Sequence, residues 1–115
     1  MRKQYELPKL LKKWERIVPS DFKYGTGGID ALRSGTTSKV PDKKLWKQGV
    51  YCEYGAASEE EDFNVIAGEL WTGSRSLWEG AKFSERLYQK IRLVIEVYQS
   101  LDDGCDEAYF LGFVK

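Results

Sequence analysis

The sequence predicts an α+β domain, with about three helices packed on a small, mainly antiparallel sheet. Three observations carry that reading. Three stretches place apolar residues at helical spacing. Two short segments, Val50–Tyr54 and Ala108–Val114, are rich in β-forming residues. The chain has 115 residues, 42% of them hydrophobic and 14% aromatic, which suits one packed core. No repeat, low-complexity tract or linker divides it, so residues 1–115 read as a single domain.

The first helix is expected over about residues 6–18. Leu7, Leu10, Leu11, Trp14, Ile17 and Val18 fall on one stripe, Pro8 sits in the first turn, and Pro19 stops the helix. Lys9, Lys12, Lys13 and Arg16 cover the opposite face. Residues 19–48 read as a long irregular segment. A helical turn is expected at Ile29–Arg33, and a short helix or strand through Lys44–Lys47.

Val50–Tyr54 alternates and reads as a strand, with part of Thr36–Val40 as a candidate neighbour. After a turn at Gly55-Ala56-Ala57, Ser58 and Glu61 form a capping box. Phe63, Ile66, Ala67, Leu70 and Trp71 then recur at helical spacing, and Gly73 is placed to end the helix. A competing reading makes Phe63–Leu70 a strand in a hairpin with Val50–Tyr54. The cap and the period favour helix. Ser76-Leu77-Trp78-Glu79 repeats the capping pattern ahead of a long helix over residues 84–102. Leu87, Ile91, Val94, Ile95, Tyr98 and Leu101 form the buried stripe of that helix, and it stops at Gly104. Ala108–Val114 closes the chain as a strand with both faces apolar.

Little in the residue inventory supports catalysis. There is no His, so the commonest general base and zinc ligand are missing. No nucleophile elbow, paired-carboxylate signature or metal-ligand spacing occurs. Cys52 and Cys105 each precede an acid, which disfavours a reactive thiolate, and both read as reduced, idle thiols. A disulfide between them is the open alternative. The expectation is a protein that is not an enzyme and carries no cofactor.

The formal net charge of zero is a sum of opposites. Residues 1–48 hold twelve Lys/Arg against five Asp/Glu, and residues 49–115 hold six against thirteen, giving +7 and −7. Two surfaces of different sign follow, and they are compatible with head-to-tail self-association. With no long apolar run and no secretory leader pattern, the sequence is read as cytoplasmic, with no membrane partner.

The leading functional reading is a small interaction protein of inhibitor or adaptor type. It docks charged and aromatic surface on a protein partner. Lys12, Lys13 and Arg16 would supply charge, and Trp46 and Trp78 would be the aromatic anchors. Trp14 and Trp71, on apolar stripes, read as core. The alternative is a binder of a nucleotide or other phosphorylated small molecule. Gly27, Gly28, Arg33, Thr36, Thr37 and Lys39 combine backbone donors, hydroxyls and cations as an anion site needs. A third reading is direct nucleic-acid binding through the basic N-terminal half. The acids Glu59–Asp62 read as helix-dipole stabilisation, since consecutive helical residues cannot converge on one ion.

Overall fold

A computed structural model describes residues 7–25, 35 and 38–114. Among these, the secondary structure is six α-helices and one 3-10 turn, with no strand. The helices are α1 (Leu7–Ile17), α2 (Lys43–Trp46), α3 (Glu59–Trp71), α4 (Arg75–Phe83), α5 (Glu85–Leu101) and α6 (Glu107–Leu111). The α+β expectation is therefore corrected to a mostly helical fold.

Five of the described helices begin with a side-chain cap; Asp42 accepts from Lys44 N at the start of α2. Ser58 accepts from Glu61 N, Ser74 from Leu77 N, Ser84 from Leu87 N and Asp106 from Tyr109 N. Each cap satisfies one of the backbone N–H groups left unpaired in a first helical turn. The segment at Phe63–Leu70 is helical. The capping signal expected at Ser76 belongs two residues earlier, at Ser74.

The expected sheet fails for two local reasons. Val50, Tyr51 and Cys52 are extended and buried, but only Pro41 and Cys52 form an antiparallel bridge. Flanking it, Asp42 N donates to Tyr51 O and Tyr54 N donates to Ser38 O. The pairing stops on that side where Asp42 becomes the N-cap of α2. The chain then coils into the 3-10 turn Tyr54–Ala57. At the other end, Asp106 caps its neighbours and turns most of Ala108–Val114 into α6. The two-sided apolar pattern there serves a helix end packed among aromatics, not an interior strand. The expected turn at Ile29–Arg33 lies outside the described residues.

Helix α5 is central. Leu87, Ile91, Val94 and Ile95 are fully buried, and they meet Ile66 and Leu70 of α3, Leu77 of α4 and Phe110 of α6 in one core. Leu10, Trp14 and Ile17 bring α1 onto the same core. Gly80 lets α4 approach closely: a β-carbon there would lie 2.6 Å from Leu87 Cδ2 and 3.2 Å from the Trp46 ring. Neither cysteine is in a disulfide; Cys52 is buried and Cys105 half-buried. Burial pushes the Cys52 thiol up, which disfavours the thiolate.

Candidate functional site

Two groups of residues stand out from the apolar frame. One is internal. Asp62 of α3 lies four and eight residues before Ile66 and Leu70, on the buried side of its helix, and Lys90 of α5 lies between Leu87 and Val94. Both side chains are fully buried, and Lys90 Nζ is 2.6 Å from Asp62 Oδ2. The same carboxylate oxygen accepts from the Tyr24 hydroxyl and, at 3.1 Å, from Trp14 Nε1. Lys90 also donates to the Tyr24 oxygen at 3.0 Å, and its ammonium lies 5.3 Å from the Trp14 ring centroid.

This cluster joins α1, the segment carrying Tyr24, α3 and α5. Desolvation raises the Asp62 carboxyl above its ordinary value, with Lys90 pulling against it. Desolvation also lowers the Lys90 ammonium, with Asp62 opposing. Burial and the nearby Asp62 charge push the Tyr24 phenol far up. Asp62 Oδ1 is buried without a hydrogen-bond partner and faces Gly55, where a β-carbon would come within 3.4 Å. With no exposed surface on either charged side chain, the cluster pins four elements and does not face solvent. The signal that could have found it was a charged residue on each of two buried helical stripes.

The second group is external. The C-terminal end of α3, the last turns of α5 and all of α6 converge on Trp71. Its ring lies 5.3 Å from Tyr98, 5.9 Å from Tyr109, 4.9 Å from Phe110 and 5.9 Å from Phe113, centroid to centroid. Most of these pairs meet edge to face, the arrangement favoured by ring quadrupoles. Gly73 makes the approach possible. Its φ is +70°, and a β-carbon there would collide with Phe113 O at 2.2 Å.

Only part of this aromatic end is buried. Phe110 is sealed, but Trp71, Tyr109, Leu111 and Leu101 keep 40%, 42%, 44% and 60% of their surface exposed. Trp71 is thus not the core residue its stripe suggested: it lies one position past Leu70, at the rim of α3. The α5–α6 connection adds exposed Asp102, Asp103 and Asp106. Asp102 Oδ1 accepts from Gly104 N and Asp106 Oδ1 from Tyr109 N, so these hydrogen bonds order the acidic turn. Glu107 is engaged by Arg92 at 3.3 Å and by the Tyr88 hydroxyl at 2.8 Å.

The residues singled out in the sequence are scattered by comparison. Gly27, Gly28, Arg33, Thr36 and Thr37 lie outside the described residues. Lys39 is exposed, with its ammonium 5.4 Å from the Tyr54 ring centroid. Lys12, Lys13 and Arg16 are exposed on α1, and Lys13 comes within 4.0 Å of Glu96. Trp46 is only 3% exposed; it stacks on Tyr51 and donates to Tyr51 O, so its ring surface is used inside the fold. Trp78 is half-buried and lines an open groove of about 670 Å³ with Arg75, Lys82 and Leu111. Among the described residues no group of three His, Cys, Asp or Glu is placed to hold a metal ion, and no helix is long and apolar enough to cross a membrane.

Comparison with known proteins adds no relative. No family model, curated protein or solved structure matches this chain.

Proposed function

We propose that this chain is a non-enzymatic interaction protein that docks its acid-edged aromatic end on another protein. The partner surface it fits presents apolar side chains beside Lys or Arg. The observation that carries this reading is the pairing of Trp71 and Tyr109, ring centroids 5.9 Å apart and each at least 40% exposed, with the exposed carboxylate of Asp106 bonded to Tyr109 N. Single exposed apolar residues are ordinary on a protein surface, but packed, half-exposed aromatics beside a carboxylate have the composition of an interface. Trp and Tyr supply contact area at low entropic cost, and fixed carboxylates steer a basic partner and reject an acidic one. The Trp71 ring is held by four other rings, so little order has to be gained on docking.

A selection of random peptides displayed on phage against the immobilised chain tests the reading. The expected sequences place Lys or Arg beside Leu, Phe or Trp, and they are lost when the chain carries Trp71→Ala and Tyr109→Ala. Acid-rich sequences, or sequences kept equally well by the double variant, would overturn it.

A further inference from the structure

We propose that the groove between α1 and α3 is a binding site for a small organic cation, an ammonium carried on an apolar or aromatic body. The groove has a volume of about 400 Å³. Small-molecule sites run from roughly 300 to 1,000 Å³ and are mostly apolar with a few placed polar groups. Here Leu10, Trp14, Phe63 and Val97 supply the apolar surface, and Leu11 adds to it with 40% of its surface exposed. The Trp14 and Phe63 rings lie 5.8 Å apart at an interplanar angle of 45°. The charged lining residues are Glu59 and Glu60, both acids.

That combination selects the class of ligand. Among the described residues no Lys or Arg lines the groove, although α1 carries several. The cation whose field reaches Glu59 is Lys90, and its ammonium is fully buried and bonded to Asp62 and Tyr24. Partial burial pushes the Glu59 carboxyl up, and the charges of Glu15 and Asp62 add to the effect. The described lining of the groove therefore carries acidic charge with no cation beside it. An anion would be repelled, and a neutral apolar ligand would gain nothing from the carboxylates. An ammonium placed between the carboxylates and the rings gains from both, since aromatic faces attract cations. The residues involved differ from those of the aromatic end, so the two sites stand independently.

Benzyltrimethylammonium is the probe, titrated into the isotopically labelled chain while amide resonances are followed. Saturable shifts are expected at Leu11, Phe63, Asn64 and Val97. Phenylacetate should give none, and benzyl alcohol should bind more weakly than the cation. Glu59→Gln with Glu60→Gln should weaken the cation about fivefold, the scale of a partly exposed charge contact. Asn64→Trp, at an exposed lining position, should plug the groove and abolish binding. Resonances away from the groove should hold their positions in both variants, which separates lost binding from lost folding. Trp71→Ala should leave the cation affinity unchanged. The proposal is overturned if the cation produces no saturable shift, if phenylacetate or benzyl alcohol binds as tightly, or if the carboxamide double variant binds as the parent does.

Discussion

Lys90 and Asp62 form an ion pair inside the core, 2.6 Å apart, with neither side chain reaching solvent. The pair sits where α3 and α5 would otherwise meet through apolar residues. Trp14 and Tyr24 converge on the same carboxylate oxygen, so the pair also sets the position of α1 and of the segment that follows it.

Removing one partner should therefore be far worse than removing both. Lys90→Met strands a buried carboxylate and Asp62→Leu strands a buried ammonium; each should cost about 3–5 kcal/mol. The Asp62→Leu/Lys90→Met double variant should recover much of that loss, because a buried pair can often be replaced by apolar side chains at little cost. Urea unfolding of all four forms of the cycle gives the coupling energy directly. Additive losses would show that the two side chains act separately.

Tyr24 gives the fold an alkaline limit. Its phenol is raised from 10.0 in the folded chain, chiefly by burial, so below pH 10 the phenol is neutral in both folded and unfolded states. Above pH 10 the unfolded state loses this proton while the folded state keeps it, so stability falls as pH rises. Lys90, lowered by burial from 10.5, acts in the opposite direction but only below that value. Between pH 10.5 and 12 Tyr24→Phe should therefore flatten the decline by about 1.4 kcal/mol per pH unit, one proton's worth. An unchanged slope in denaturant titrations would contradict the assignment.

The helices at Leu7–Ile17, Glu59–Trp71 and Glu85–Leu101 were legible because their apolar residues repeat at 3.6 and their ends carry Ser or Pro signals. The sheet was misread because alternation of apolar residues cannot distinguish a strand from any buried extended segment, nor from a short helix set among aromatics. Beside Val50–Cys52 the pairing chain turns away at Asp42, which caps α2. At the C-terminus Asp106 caps α6 by accepting from Tyr109 N, and the β-forming composition after it hides that helix start. Asp62 reads as one of four first-turn acids stabilising the helix dipole, and its burial against Lys90 corrects that reading. Charged residues are usually solvated, so a charge on a buried stripe reads as noise until its partner, 28 residues away, is in place. The aromatic end was only half legible. Trp71 lies on its stripe, but the turn at Gly73 that brings Phe113 beside it is a long-range contact.

Two helical glycines should respond in opposite directions to the same change. Gly68→Ala meets nothing within 4 Å and should stabilise the chain by about 0.5–1 kcal/mol through helix propensity alone. Gly80→Ala drives a β-carbon to 2.6 Å from Leu87 and should cost about 1–3 kcal/mol through overpacking. Thermal midpoints of the two variants check the packing of α4 on Trp46. A gain at both positions would mean that α4 lies farther from Leu87 than the distance above.

Thiol reactivity should separate the two cysteines. Cys105 is half-exposed and should react with an aromatic disulfide reagent in the native chain. Cys52, fully buried with its thiol raised by desolvation, should react only when the chain unfolds. Two fast thiols under native conditions would show that the Val50–Cys52 segment opens readily.

The docking role of the aromatic end is the central claim, and calorimetric titration of one selected synthetic peptide tests it most directly. Trp71→Ala and, separately, Tyr109→Ala should each weaken the peptide about tenfold or more, as loss of an interface anchor does. Raising the salt concentration should weaken binding to the parent chain, because the acidic rim is exposed to screening. Circular dichroism should show both variants folded at the titration temperature. Peptide affinity unchanged in both folded variants, and insensitive to salt, would contradict the claim.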